Sequence, residues 1–261
     1  MNDILLSFIL GLVQGLTEFL PISSSAHLLF PTLIFGSNDL GLYFDISVHA
    51  GTLIAVIYYF RNEIFLMSKS LLVTNNLNED KNLAIQLIIA TIPIVILGFI
   101  FRDLISQRIY SINDIAISNL IFASILLFAF LKNKGKKTLI NLTIFGACFI
   151  GLFQCFALIP GASRSGAAIT AGLLIGLSLK DASKFAFLLA IPTILGALTL
   201  LIFDLNNGNV SFDLLNISIG FFTSMIFAFF TIKLFLKLVK KIGMIPFVAY
   251  RFLLGVLLLT I

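Results

Sequence analysis

Apolar residues run along this chain in long blocks rather than alternating with polar ones, and six blocks approach the length that crosses about 30 Å of hydrocarbon as a helix. Their limits are about 44–60, 83–101, 115–131, 185–203, 214–232 and 246–261. Two further apolar segments, 4–35 and 139–178, are interrupted by polar, helix-breaking patches. The first contains Pro21-Ile22-Ser23-Ser24-Ser25 and the second Pro160-Gly161-Ala162-Ser163-Arg164-Ser165-Gly166. Broken backbone at membrane depth is tolerated only where protein or a water-filled cavity covers it. Both segments are therefore expected to be re-entrant helical hairpins. The fold class that follows is an all-α integral membrane protein of six transmembrane helices plus two re-entrant hairpins, in one domain over 1–261.

Composition agrees with the pattern. Hydrophobic residues make up 59% and charged residues 11% of the chain, with a mean hydropathy of +1.11, whereas a soluble domain is about a quarter charged. The N-terminus lacks a cleavable-signal pattern, since Asp3 stands where basic residues belong. The net charge of +5 does not point to nucleic acid, because the basic residues sit in short loops. With the N-terminus outside and both interrupted segments re-entrant, the inside loops hold Arg61, Lys69 and Lys81, the Lys132–Lys137 cluster, Lys180 and Lys184, and Lys233, Lys237, Lys240 and Lys241. The outside loops keep Arg102 and Arg108, the asymmetry expected of a positive-inside protein. Arg164 and Arg251 are left within apolar segments. Cys148 and Cys155, seven apart, would be about 10 Å apart along a helix, too far for a disulfide.

The two interrupted segments resemble each other. GLVQGLTEFLPISSSAH (11–27) and GLFQCFALIPGASRSGA (151–167) share a Gly-Leu opening, a glutamine, a proline and a serine-rich turn; LIIATIPIVILG (87–98) resembles FLLAIPTILGA (187–197). Halves of 1–138 and 139–261, each a hairpin followed by three spans, would enter the membrane in opposite senses. Inverted repeats with paired broken helices place a polar site near the midplane.

Ionisable residues inside the membrane are expensive and point to function. Gln14 and Glu18, four apart, project from one helix face, and a carboxylate beside a carbonyl oxygen suits a hard divalent ion such as Mg²⁺ or Ca²⁺. The plainer alternative is a Gln–Glu hydrogen bond within the bundle. Ser24 and His27 follow Pro21, and a hydroxyl beside an imidazole is the pairing of an activated nucleophile; a serine-capped helix with a satisfied histidine is the alternative. His49 is expected to be a packing or supporting residue. In the second break, Gly161 and Gly166 let backbone approach a ligand, Ser163 and Ser165 offer hydroxyls, and Arg164 offers a fork matched to phosphate oxygens. Its alternative is a buried pair with Glu18. Together the two breaks supply a carboxylate for metal, a nucleophile or base, and a phosphate clamp.

QGLTEFLPISSSAH (14–27) and PGASRSGAA (160–168) resemble the two signature regions of undecaprenyl-diphosphate phosphatases, the family linked with bacitracin resistance, and the similarity extends to PFVAYRFLLG near the C-terminus. The resemblance implies hydrolysis of undecaprenyl diphosphate to the monophosphate and inorganic phosphate, on the outer side of the cytoplasmic membrane and with a divalent cation. By position, Glu18 would bind metal or act as base, His27 would assist proton transfer or attack, Ser24 would be the candidate nucleophile and Arg164 would hold the diphosphate. Gln14 stands where the family has Glu or Gln, so this chain brings one carboxylate. Where the family often has a threonine, this chain has Ala168, with Thr170 two residues on. The expected partners are the polyprenyl diphosphate and membrane lipids; homo-oligomer formation is left open. A flippase of the same lipid carrier is the rival, and a passive scaffold would not need an arginine at a glycine-rich break.

Overall fold

The computed structural model describes residues 3–37, 40–72, 78–106, 110–205 and 213–260. The apolar blocks fold into helices whose ends are set by local chemistry. The first interrupted segment forms α1 (Asp3–Thr17) and α2 (Ser24–Phe35), separated by the turn that carries Pro21. Proline has no N–H to continue the ladder and disfavours helical backbone before it, so α1 stops. Gly36, with φ 59°, closes α2 by returning its N–H to the carbonyls of Pro31 and Thr32. Next come α3 (Gly41–Tyr59), α4 (Arg61–Leu72), α5 (Glu79–Ile100), the short α6 (Arg102–Ser106) and α7 (Ile112–Lys132). Asn78 caps α5 through the Lys81 amide, and Ser111 with Asp114 forms a reciprocal capping box on α7.

The second interrupted segment forms α8 (Ile144–Gln154), a 3₁₀ turn (Cys155–Leu158) and, after the break, α9 (Arg164–Leu174). The chain ends with α10 (Leu179–Leu205), α11 (Leu214–Ile242) and α12 (Ile245–Leu259). Among the described residues the extended pairing consists of one parallel bridge between Lys137 and Leu177. Cys148 and Cys155 are free thiols.

Four helices, α5, α7, α10 (over Leu179–Leu200) and α11, are long and apolar enough to cross a membrane; a fifth crossing is counted if α3 and α4, bent 76° apart, act as one span. Each expected span is a helix, but several limits differ. α10 begins at Leu179, six residues before the apolar block, because Ser178 and Asp181 form a capping pair that starts the helix in polar sequence. α11 continues to Ile242 because Lys233, Lys237, Lys240 and Lys241 lie at helical spacing and carry the same helix out of the apolar layer. Arg61 and Lys69, expected in a loop, lie in α4. The last expected span is α12, whose 15 residues extend about 22 Å. Arg108 and residue 261 lie outside the described residues.

Packing is dominated by α11, which lies along α1 and α3, with α12 against α7, α8 against α5, and α9 against α10, α7 and α8. Gly51 allows the α3–α11 approach: a Cβ there would come within 2.4 Å of the Phe221 carbonyl oxygen. Phe19, Phe60, Phe185 and Phe187 are buried, and Phe187 meets Phe19 edge-on and Phe235 at a tilt, with ring centroids 5.2 and 5.3 Å away. The outside is apolar as well. Phe145 and Leu72 are 89% and 85% exposed, which water would oppose and hydrocarbon does not, since lipid tails are as apolar as the side chains. Glu18, Ser24 and Arg164 lie instead between the two breaks.

Candidate active site

The two breaks meet end to end in the interior. Each presents a serine in left-handed backbone immediately before a helix, Ser23 with φ 70° and Ser163 with φ 72°. A non-glycine residue holds that region only where its surroundings enforce it. In each case the serine hydroxyl contacts the hydroxyl two residues on, Ser23 to Ser25 at 3.2 Å and Ser163 to Ser165 at 3.3 Å. The residue between them therefore points into the space shared by both breaks: Ser24 from the first, Arg164 from the second.

Glu18, in the turn after α1 and 7% exposed, receives both. The Ser24 hydroxyl donates to Glu18 Oε2 at 2.6 Å, and Arg164 Nη2 donates to Oε1 at 2.9 Å. Gln14 Nε2 adds a third hydrogen bond to Oε2 at 3.0 Å, one helical turn away as the sequence spacing requires. His49, from α3, brings its Nε2 to 4.0 Å from Oε2 while its Nδ1–H donates to the Asp45 carbonyl. The Gln–Glu hydrogen bond and the Glu–Arg pair, each the plainer alternative to a ligand-binding role, both form. His49, read from sequence as a packing or supporting residue, lies beside the central carboxylate.

Arg164 is the first residue of α9. Its Nη1 donates to the Ala186 carbonyl at 3.3 Å, and its plane lies over the Phe19 ring at 5.8 Å. Nε is buried with no protein acceptor, so the fork keeps a donor to offer. The amides of Arg164 and Ser165 stand at a helix start, where no preceding carbonyl can take them, and such a terminus attracts anions. Ser163 caps this helix by accepting from the Gly166 amide at 3.1 Å, and Ser165 donates to the Leu20 carbonyl at 2.9 Å. Both hydroxyls are thus tied to backbone. Thr170 donates to the Gly166 carbonyl within its own helix, beside the buried Ala168. Gly161 has φ 93°, and a Cβ there would lie 2.5 Å from the Ile115 carbonyl oxygen. Positive φ and close approach both demand glycine.

His27 lies one turn into α2. Its Nδ1 is 2.7 Å from the Ser23 carbonyl and its Nε2 2.6 Å from the Tyr250 hydroxyl. Ser24 directs its hydroxyl to Glu18, so in this arrangement the serine is paired with a carboxylate.

Sequence reasoning assigned no role to the residues of α12. Arg251 is fully buried and binds four neutral oxygens: Asn119 Oδ1 at 2.7 Å, the Gly161 and Ala162 carbonyls at 2.8 and 3.2 Å, and the Pro21 carbonyl at 3.4 Å. Asn119 returns a hydrogen bond to the Arg251 carbonyl. One guanidinium therefore ties the backbone of both breaks together. The signal in the sequence was an arginine inside an apolar span, which is costly enough to need a reason.

For a divalent cation, the chamber offers the Glu18 carboxylate and the Gln14 amide oxygen, which is buried without a hydrogen-bond donor. Among the described residues no cluster of three or more His, Cys, Asp or Glu side chains has metal-holding geometry. A carboxylate and an amide oxygen are hard donors of the class that Mg²⁺ takes alongside water and phosphate.

The family model described as bacitracin resistance protein BacA matches residues 7–257. A protein named undecaprenyl-diphosphatase from Alcanivorax borkumensis is 45% identical over 256 residues, covering 97% of both chains. Another of that name from Saccharophagus degradans is 44% identical over 258 residues, covering 97% of this chain and 96% of its own.

Proposed function

The chain belongs to the bacitracin resistance protein BacA family, and on that premise we propose that it hydrolyses undecaprenyl diphosphate to undecaprenyl phosphate and inorganic phosphate. The activity returns the lipid carrier of cell-wall synthesis to use and thereby gives resistance to bacitracin. The observation that carries this reading is the shared carboxylate: Glu18 holds a serine hydroxyl on one oxygen and a phosphate-matched guanidinium on the other.

In the mechanism, Arg164 and the first amides of α9 bind the terminal phosphate, exchanging part of their contact with Glu18 for phosphate oxygens. Glu18 takes the Ser24 proton as Ser24 Oγ attacks the terminal phosphorus, and the bond to the bridging oxygen breaks to release undecaprenyl phosphate. Water then attacks the phosphoserine, with His27 assisting its proton transfer, and the Oγ–P bond breaks as Glu18 returns the proton to Ser24 Oγ, which frees inorganic phosphate. Phosphoryl transfer needs mainly positioning and charge neutralisation, and both are built into the chamber. Glu18 and Gln14 would hold Mg²⁺ or Ca²⁺, which neutralises charge on the diphosphate.

The arrangement in the bilayer belongs to the same proposal: six spans and two re-entrant segments, related as an inverted repeat, in the cytoplasmic membrane with the chamber opening outward. Matching positions support it, with Gln14, Ser23, Ser24 and Ser25 answering to Gln154, Ser163, Arg164 and Ser165. Packing supports it too, since α1 lies on α11 as α8 lies on α5. That pattern pairs α3 with α10 and α5 with α11. It gives no support to the sequence match of 87–98 with 187–197, which lie in α5 and α10.

The test is phosphate release from undecaprenyl diphosphate by detergent-purified protein with Mg²⁺, with Ca²⁺ and with chelator. Metal-dependent release that Glu18→Ala abolishes is the expected outcome. A folded protein that binds the lipid without releasing phosphate would overturn the enzyme reading in favour of carrier translocation.

A further inference from the structure

The proposed chemistry uses Glu18, Ser24, His27 and Arg164 and leaves unexplained why a tyrosine from α12 reaches the histidine of α2. Tyr250 stands next to Arg251, so the clamp that joins both breaks also fixes the phenol. Its hydroxyl meets His27 Nε2 at 2.6 Å, and the two ring planes are within 11° of parallel with centroids 5.7 Å apart. At the other end of the imidazole, Nδ1 lies 2.7 Å from the Ser23 carbonyl. A carbonyl only accepts, so Nδ1 carries the proton. In the neutral ring Nε2 is then the lone-pair nitrogen, and the Tyr250 hydroxyl donates to it. Partners at both nitrogens fix the tautomer and the orientation of a histidine.

We propose that Tyr250 is the positioning residue for His27, holding the imidazole as its Nδ1–H tautomer and fixing the direction of its Nε2 lone pair. Ser25 and Tyr250 are exposed and His27 is half-buried, so the pair lies at the edge of the buried site. While the hydroxyl donates to Nε2, its oxygen still accepts a hydrogen bond from water. The device links three separate elements: the strained Ser23 supplies the carbonyl, α2 the ring and α12 the hydroxyl. This inference rests on the proposed role of His27 in proton transfer.

The experiment is a cycle of Tyr250→Phe, His27→Ala and the double variant, measured by phosphate release with thermal unfolding of each protein. Tyr250→Phe is expected to lower kcat on the order of ten- to hundredfold, the scale of a misplaced proton-transfer group, with KM within about twofold. The same change in the His27→Ala background is expected to cost nothing more. A Tyr250→Phe variant with wild-type kcat, or a loss that multiplies fully in the double variant, would overturn the positioning role and leave the hydrolase reading standing. Wild-type kcat in His27→Ala would instead remove His27 from the mechanism, and the inference with it. The chain has 2 histidines, so ¹⁵N spectra assigned with His27→Ala give an independent readout. A protonated Nδ1 and a hydrogen-bonded Nε2 are expected in the wild type. A predominant Nε2–H tautomer would refute the assignment whether or not Tyr250→Phe folds.

Discussion

A carboxylate inside a membrane protein has to have its charge met, and Glu18 meets it with donors on both oxygens: Arg164 on one, Ser24 and Gln14 on the other. The carboxylate is thereby a structural hub, and in the proposed mechanism the same side chain takes the Ser24 proton. Arg164→Lys keeps the charge but loses the planar fork. It is expected to lower kcat/KM at least about tenfold, the worth of one charge-assisted hydrogen bond, with little change in the unfolding midpoint. Phosphate release and thermal unfolding check this, and wild-type turnover would remove the clamp. Gln14→Ala should cost less activity than Glu18→Ala, because the amide contributes one hydrogen bond whereas the carboxylate holds three donors. Equal losses would mean that both side chains are required in the same way. Much of this was legible in the sequence: Gln14 and Glu18 at helical spacing, and Ser24 and Arg164 inside broken apolar segments. The carboxylate as Ser24's partner was not, because residues six apart across a turn have no fixed relation until the turn is folded.

Each break is an element in its own right: a proline, a strained serine, and a helix that starts immediately after it. Ser163 combines the strain of φ 72° with a cap on the Gly166 amide. Glycine at this position would relieve the strain while losing the cap; alanine would lose the cap and keep the strain. Ser163→Ala is therefore expected to be less stable than Ser163→Gly by about 1 kcal/mol or more, read as the order of unfolding midpoints in one detergent. A Ser163→Ala protein as stable as Ser163→Gly would show that the backbone here is not held under strain. The prolines announced both breaks in the sequence, since the missing N–H is a local property. Helix ends set by capping or lysine spacing were less visible. α10 begins and α11 finishes in polar sequence, where an apolar block gives no boundary.

At the scale of the molecule, lysines cluster in the chain near the ends of α7 and α11 and the starts of α5 and α10, and the two breaks meet in the interior. The proposed orientation puts Lys136 and Lys240 inside the cell and Asp103 outside. Single cysteines at these positions, in a chain with Cys148 and Cys155 replaced by alanine, are expected to react differently with an impermeant maleimide. Asp103→Cys should label on intact spheroplasts, and Lys136→Cys and Lys240→Cys only after permeabilisation; the reverse pattern would invert the topology. By itself the sequence determined that the chain is helical, that its surface suits lipid, where its two interrupted segments break and which residues are candidates for chemistry. These follow from residue type and near-neighbour spacing, which hydrophobicity, proline geometry and charge cost make readable one segment at a time. Only the tertiary structure decided that Glu18 would join Ser24 to Arg164, that His49 would stand beside it, and that Tyr250 and Arg251 of the last helix would hold the histidine and both breaks. Those contacts join helices far apart in the chain, and it is the packing of one helix on another that brings them within hydrogen-bond reach.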